Sequence, residues 1–133
     1  MSRYARQTIL PEVGASGQAR IAAAHVLVVG AGGLGVPVVQ YLAGAGIGRL
    51  TVVDPDRVEL SNLHRQPIYG PFPGQPKATA AAAFVHALNP DVQVAPRVEW
   101  LTPATAPDLV AAADLVLDCA DSFAVSYTLS DTC

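Results

Sequence analysis

Val28-Val29-Gly30-Ala31-Gly32-Gly33-Leu34-Gly35 is a glycine-rich turn between an apolar, β-branched run and a helix-compatible one. Such a turn lets backbone N–H groups approach a phosphate, and the following helix aims its positive N-terminus at the same point. Downstream stand residue types that phosphate chemistry uses: Asp54, Asn62, Arg65, Lys77 and Asp121. The chain reads as a nucleotide binder. Many dehydrogenases share the glycine fingerprint, so the chemistry must come from the other residues.

Asp54 closes the run Leu50-Thr51-Val52-Val53, where an acid can accept hydrogen bonds from ribose hydroxyls. An Asp before Pro also starts turns. Lys77 is the sole lysine and falls in the first turn of a helix, where a cation opposes the macrodipole. An anionic ligand would account for it; a solvated surface lysine is the alternative. Arg65 and Asn62 share an irregular loop and could grip phosphate oxygens. His64 beside them has no placed Ser or Cys nucleophile to serve. Asp121 follows a strand and could hold Mg²⁺ against a triphosphate, while Asp121 or Ser122 could equally cap the next helix.

The elements that position these residues follow from periodicity. A strand is expected near 25–30, a helix near 34–45, a strand over 50–54 and a helix from Pro76 to Leu88. Val92, Val94, Pro96, Val98 and Trp100 alternate with polar or small residues, which predicts a half-buried strand, with Pro96 favouring an edge. A short helix near 104–112, a strand from Leu115 to Cys119 and a helix from Ser122 complete the pattern. Residues 55–75 are Pro- and Gly-rich without periodicity, and residues 1–24 form a polar lead-in with a helix near 18–24. The order predicts an α/β fold: a doubly wound, mostly parallel, Rossmann-like sheet with helices on both faces, its core over 25–133. Trp100 and Tyr127 read as core or interface residues.

Half of the chain is hydrophobic and only 14% is charged, against about a quarter in an average domain. A surface this short of charge is expected to be covered in part by a partner or by missing chain. The net charge of −3, without a basic run, argues against nucleic acid, and no apolar stretch is unbroken enough to span a membrane. The N-terminal charges precede no signal-peptide core, so a cytoplasmic location is expected. Cys119 reads as a packed small residue, and two cysteines cannot complete a four-sulfur zinc site.

Arg3-Tyr4-Ala5-Arg6-Gln7, the glycine turn, Asp54, Ser61-Asn62-Leu63-His64-Arg65-Gln66, Gly74-Gln75-Pro76-Lys77 and Asp118-Cys119-Ala120-Asp121 occur in one order. Together they resemble the ThiF/MoeB/HesA family, bacterial relatives of ubiquitin-activating E1 enzymes. The resemblance implies ATP- and Mg²⁺-dependent adenylation of the C-terminal carboxylate of a ubiquitin-like sulfur-carrier protein of the MoaD/ThiS kind. It implies a nucleotide site of Gly32, Gly33, Asp54, Ser61, Asn62, Arg65, Lys77, Asp121 and Ser122, with Asp121 on the metal. Catalytic roles would fall to Arg6, Arg65, Lys77 and Asp121, Arg6 reaching the neighbouring subunit of a homodimer. Ser122 departs from the family's usual Asn. The chain also stops about halfway through the usual domain, before the remaining strands, the channel for the carrier's tail and the zinc cysteines of many members. Alone it is therefore expected to adenylate little. An NAD-dependent oxidoreductase and a non-catalytic nucleotide-binding half-domain are the competing readings.

Overall fold

The computed structural model describes residues 2–133. Four parallel strands form one sheet: β1 (His25–Val29), β2 (Arg49–Val53), β3 (Gln93–Arg97) and β4 (Leu115–Asp118), in the order β3-β2-β1-β4. Six α-helices accompany them: α1 (Ala5–Thr8), α2 (Gly14–Ala23), α3 (Gly35–Ala45), α4 (Lys77–Leu88), α5 (Ala106–Ala111) and α6 (Phe123–Thr132). Side chains along a strand alternate between the faces of a sheet. Val26 and Val28 accordingly pack into one core with Val36 and Val39 of α3 and Ala81 and Val85 of α4. Leu27 and Val29 enter a second core with Ala106 of α5 and Val125 and Leu129 of α6. A strand covered on both faces needs a continuous apolar run, which is what 26–29 supplies. The expected doubly wound sheet with helices on both faces is the one observed.

The departures are local. β3 pairs only with β2, so the edge position suits Pro96, which has no N–H to donate. The alternation does not continue to Trp100, because the chain turns after Arg97, whose carbonyl accepts from Glu99 N at 3.0 Å. Trp100 leaves the sheet and is 65% exposed, and Tyr127 is 68% exposed, so neither belongs to the core of this chain. Residues 55–75 are tightly folded. They contain 3₁₀ turns at Leu60–Asn62 and Pro67–Tyr69 and bury Val58, Ile68 and Tyr69 in the first core.

The lead-in is longer in helix than the sequence pattern suggests, since α2 already begins at Gly14. It packs at the end of the sheet where the strands begin. Gln7 Nε2 and Gln18 Nε2 donate to Ala45 O at the end of α3, at 2.7 and 3.1 Å. Gly46 then closes α3 in the left-handed region, φ 86°, directly against the Tyr4 ring. Asn89, fully buried after α4, donates through Nδ2 to Tyr4 Oη at 2.7 Å and Ala43 O at 2.9 Å, and its Oδ1 accepts from Asp91 N. Asn89→Ala should therefore cost about 3 kcal/mol of unfolding free energy, because it orphans several buried polar groups at once. A lowered urea midpoint with an unchanged slope would show this. Faster amide exchange in residues 4–24 should accompany it.

Candidate functional site

The strands end on a cavity of about 590 Å³. It lies across β1 and β4, where the strand order reverses, the place at which open α/β sheets bind ligands. Its walls come from the β1–α3 turn, the end of β2, the start of α4 and the segments after β3 and β4.

The glycines of the turn divide by role. Gly30 has φ +102°, and a Cβ there would stand 2.6 Å from Cys119 O. A Cβ at Gly35 would collide with the Gly30 carbonyl even more closely. Gly30 is glycine because the turn packs against the chain beyond β4, and Gly35 because the first turn of α3 packs against the turn's own backbone. Gly32 and Gly33 have no positive φ, and a Cβ at either would meet only ordinary contacts, 3.6 Å to Gln66 Nε2 and 3.8 Å to Arg65. Protein packing does not demand glycine at 32 or 33; a side chain there would fill the cavity. Close approach of a ligand to the backbone is the remaining reason. No side chain caps the first turn of α3, whose N-terminus opens here.

Asp54 is buried, and both carboxylate oxygens hold backbone: Oδ2 accepts from Ala31 N at 2.8 Å and Oδ1 from Asp56 N at 2.7 Å. It shapes its own turn and the glycine turn while facing the cavity. Tyr69 Oη donates to Ala31 O at 2.7 Å. Burial first, and the charge of Asp54 second, push the Tyr69 phenol well above its ordinary value, so it stays a donor.

Lys77 is only 7% exposed and lines the cavity from the first turn of α4. Its surface reading is therefore corrected. Among the described residues its ammonium has no ion pair or hydrogen bond. Its stem is buried while the ammonium keeps an opening onto the cavity, which is where an anion fits. Arg65 lies exposed at the mouth beside Gly33, and Asp121 stands exposed on the opposite side. Ser122 lines the cavity and caps α6, its Oγ accepting from Val125 N at 3.4 Å, so the cap falls to Ser122 rather than Asp121. Gly32, Gly33, Asp54, Arg65, Lys77, Asp121 and Ser122 thus meet in one cavity.

Ser61, Asn62 and Arg6 do not line it. Ser61 and Asn62 sit on the first 3₁₀ turn, where Asn62 O accepts from Arg65 N and Gln66 N at 3.2 and 3.0 Å and so sets the position of both. Arg6 is exposed on α1, which packs at the far end of the sheet. Cys119 also faces the cavity, but burial, with Asp118 adding to it, raises its thiol and keeps it protonated.

Gln66 has no counterpart in the sequence-level reading beyond its place in the quoted motif. It is 1% exposed, lines the cavity and leaves Oε1 without a partner. Its position after Arg65 carries no burial signal; only the packing of the crossover puts it inside.

The sequence pattern of the ThiF family matches residues 4–133. The chain belongs to the ThiF family. Among its ThiF-family relatives, the adenylyltransferase and sulfurtransferase MOCS3 of Bos taurus is 54% identical over 132 residues, which cover 98% of this chain and 29% of that protein. The sulfur carrier protein adenylyltransferase of Thermus thermophilus is 51% identical over 132 residues, 98% of this chain and 49% of that one. The chain thus spans half the length or less of these curated relatives. The E. coli tRNA N6-threonylcarbamoyladenosine dehydratase, solved in complex with ATP, matches with a TM-score of 0.88 at 29% identity, over 96% of this chain and 52% of that one.

Two predictions follow from the division of the glycines and from Gln66. Gly30→Ala should unfold the domain, whereas Gly33→Ala should keep its melting temperature and lose at least about tenfold in ATP affinity. Gln66→Leu removes an unsatisfied buried amide, so the ligand-free protein should be as stable as the parent or up to about 1 kcal/mol more stable, while ATP binding weakens. Thermal melts with and without nucleotide separate the two effects.

Proposed function

We propose that this chain is the ATP-binding part of an enzyme that adenylates the C-terminal carboxylate of a ubiquitin-like, MoaD/ThiS-like sulfur-carrier protein. The observation that carries the reading is Lys77, its stem buried and its ammonium unpaired among the described residues, on a cavity floored by two glycines that the protein's own packing does not require. Family membership and the names of the relatives support it.

The reaction joins a carboxylate oxygen to the α-phosphorus and breaks the bond from that phosphorus to the bridging oxygen, with pyrophosphate leaving. The attacking carboxylate is already ionised, so no general base is needed. Catalysis then rests on alignment and on positive charge at the phosphates. Lys77 and Arg65 supply that charge, and Asp54 meets the ribose. Ser61 and Asn62, on the turn that positions Arg65, contribute from the rim, and Ser122 borders the phosphates. Mg²⁺ fits the donor set: it needs one or two carboxylates besides phosphate oxygens, and Asp121 is an exposed carboxylate on the cavity without a side-chain partner among the described residues. That ion would neutralise charge on the leaving pyrophosphate. Arg6 lies too far along the fold to serve its own cavity, so its role belongs to a homodimer in which it reaches the partner's triphosphate. The proposed setting is cytoplasmic; no helix among the described residues is long and apolar enough to cross a membrane.

A dehydrogenase has no need of Asn62, Arg65 and Lys77 placed for a triphosphate, so ATP with Mg²⁺ should bind better than NAD. Calorimetry showing NAD binding without ATP binding would overturn the reading. Lys77→Ala should weaken ATP binding by about 1.5–3 kcal/mol, and Arg65→Ala by a similar or smaller amount because it is exposed. To test adenylation, residues 4–133 can replace the matching half of the Thermus thermophilus relative. That chimera should catalyse carrier-dependent ATP–pyrophosphate exchange, and the same chimera with Lys77→Ala should not. A folded, ATP-binding chimera without exchange would leave the non-catalytic reading.

A further inference from the structure

The peptide units of the glycine turn are not equally constrained. Among the described residues, the N–H groups of Gly32, Gly33 and Leu34 donate to no protein acceptor, and all three residues line the cavity. Where such an N–H points follows from the carbonyl across its own peptide bond, because a trans peptide holds its C=O and N–H antiparallel. The Gly32 carbonyl accepts from Val36 N at 3.0 Å, so α3 itself fixes the peptide that carries the Gly33 N–H. The Ala31 carbonyl shares its peptide with the Gly32 N–H. Its one protein partner among the described residues is Tyr69 Oη, at 2.7 Å.

The local backbone would let that peptide turn over. A flip changes ψ of Ala31 and φ of Gly32, and its steric cost falls on the residue after the bond. Gly32 has no positive φ in this fold, but it also has no Cβ to oppose one. The flipped peptide would show the cavity a carbonyl oxygen in place of a donor, and that oxygen repels phosphate. Tyr69 is fully buried in the first core, and its own N–H donates to Gln66 O at 3.1 Å, so the phenol is held in place. It does not line the cavity. Building on the ATP-binding reading above, we propose that Tyr69 is a positioning residue of that site. By holding the Ala31 carbonyl on the core side, its hydroxyl keeps the Gly32 N–H turned toward the phosphates of the nucleotide. The glycine that makes room for the ligand also leaves the peptide free to rotate, and Tyr69 removes that freedom.

Calorimetry on the whole chain with ATP and with inorganic triphosphate, each with Mg²⁺, reads the affinity. The amide resonance of Gly32 reads the contact. In the parent chain that resonance should shift with either ligand. Tyr69→Phe should weaken both ligands at least about tenfold, the scale of one lost hydrogen bond to a charged group. 4-Aminophenylalanine in place of Tyr69 offers an N–H to the same carbonyl and should restore both to within about threefold. Val92→Ala, in the same core but away from the cavity, should lower the melting temperature at least as far as Tyr69→Phe and keep ATP affinity within about twofold. A Gly32 amide unmoved by bound ligand in the parent would overturn the role without any variant having to fold. So would an unchanged ATP affinity in folded Tyr69→Phe, or an equal loss in Val92→Ala; each of these leaves ATP binding standing. Failure of both ligands to bind the parent would overturn the ATP-binding reading and the positioning role with it.

Discussion

Ala31, in the middle of the glycine turn, has both backbone polar groups held by side chains from elsewhere in the chain. Asp54, at the end of β2, accepts from its N–H, and Tyr69, in the crossover to α4, donates to its carbonyl. The other Asp54 oxygen fixes the start of that crossover through Asp56 N. One carboxylate and one phenol therefore lock three separate segments into a single surface. The glycine turn is shaped before any ligand arrives, and preorganised N–H groups need no reorganisation when charge comes to them.

The irregular stretch 55–76 has to be ordered for the same reason. It carries Tyr69 to the turn and Gln66 and Arg65 to the cavity. Short backbone links close it: Val58 N donates to Gln75 O, Gly74 N to Val58 O and Lys77 N to Asp56 O, at 2.7, 2.9 and 2.8 Å. These bonds also set the first turn of α4, so the position of Lys77 depends on the same closure. A long connection without regular structure is thus a rigid part of the site, in keeping with the functional use of such loops.

The charges around the cavity suit displacement at a phosphate better than proton transfer. No histidine lines it, and its one thiol is held protonated by burial and Asp118. The cations Arg65 and Lys77 belong to the crossover and to α4, while Glu99 lies past β3. A ligand whose anionic end meets the two cations and whose neutral end lies past β3 matches that polarity.

Local chemistry made much of this legible in one dimension. The 26–29 run is apolar at every position because both faces of the strand are covered. The glycines mark the turn, the Asp at the end of β2 is placed by the strand itself, and Pro96 announces an edge because it lacks a donor. The motif order was enough to indicate the family. What stayed out of reach depends on contacts between distant segments. Gln66 and Glu99 look like any loop polar residues until packing buries one oxygen of each. Trp100 continues an alternating pattern, and only the turn after Arg97 takes it off the sheet. The surface reading of Lys77 fails because the first turn of α4 is tied to the start of the crossover through Lys77 N and is buried there. Asp54 could bind ribose or begin a turn on sequence grounds; the fold shows its oxygens already holding two backbone N–H groups. Periodicity reports how one element meets water or core. Which polar atoms are left unpaired is decided by where remote elements close against one another, and that is a property of the tertiary structure alone.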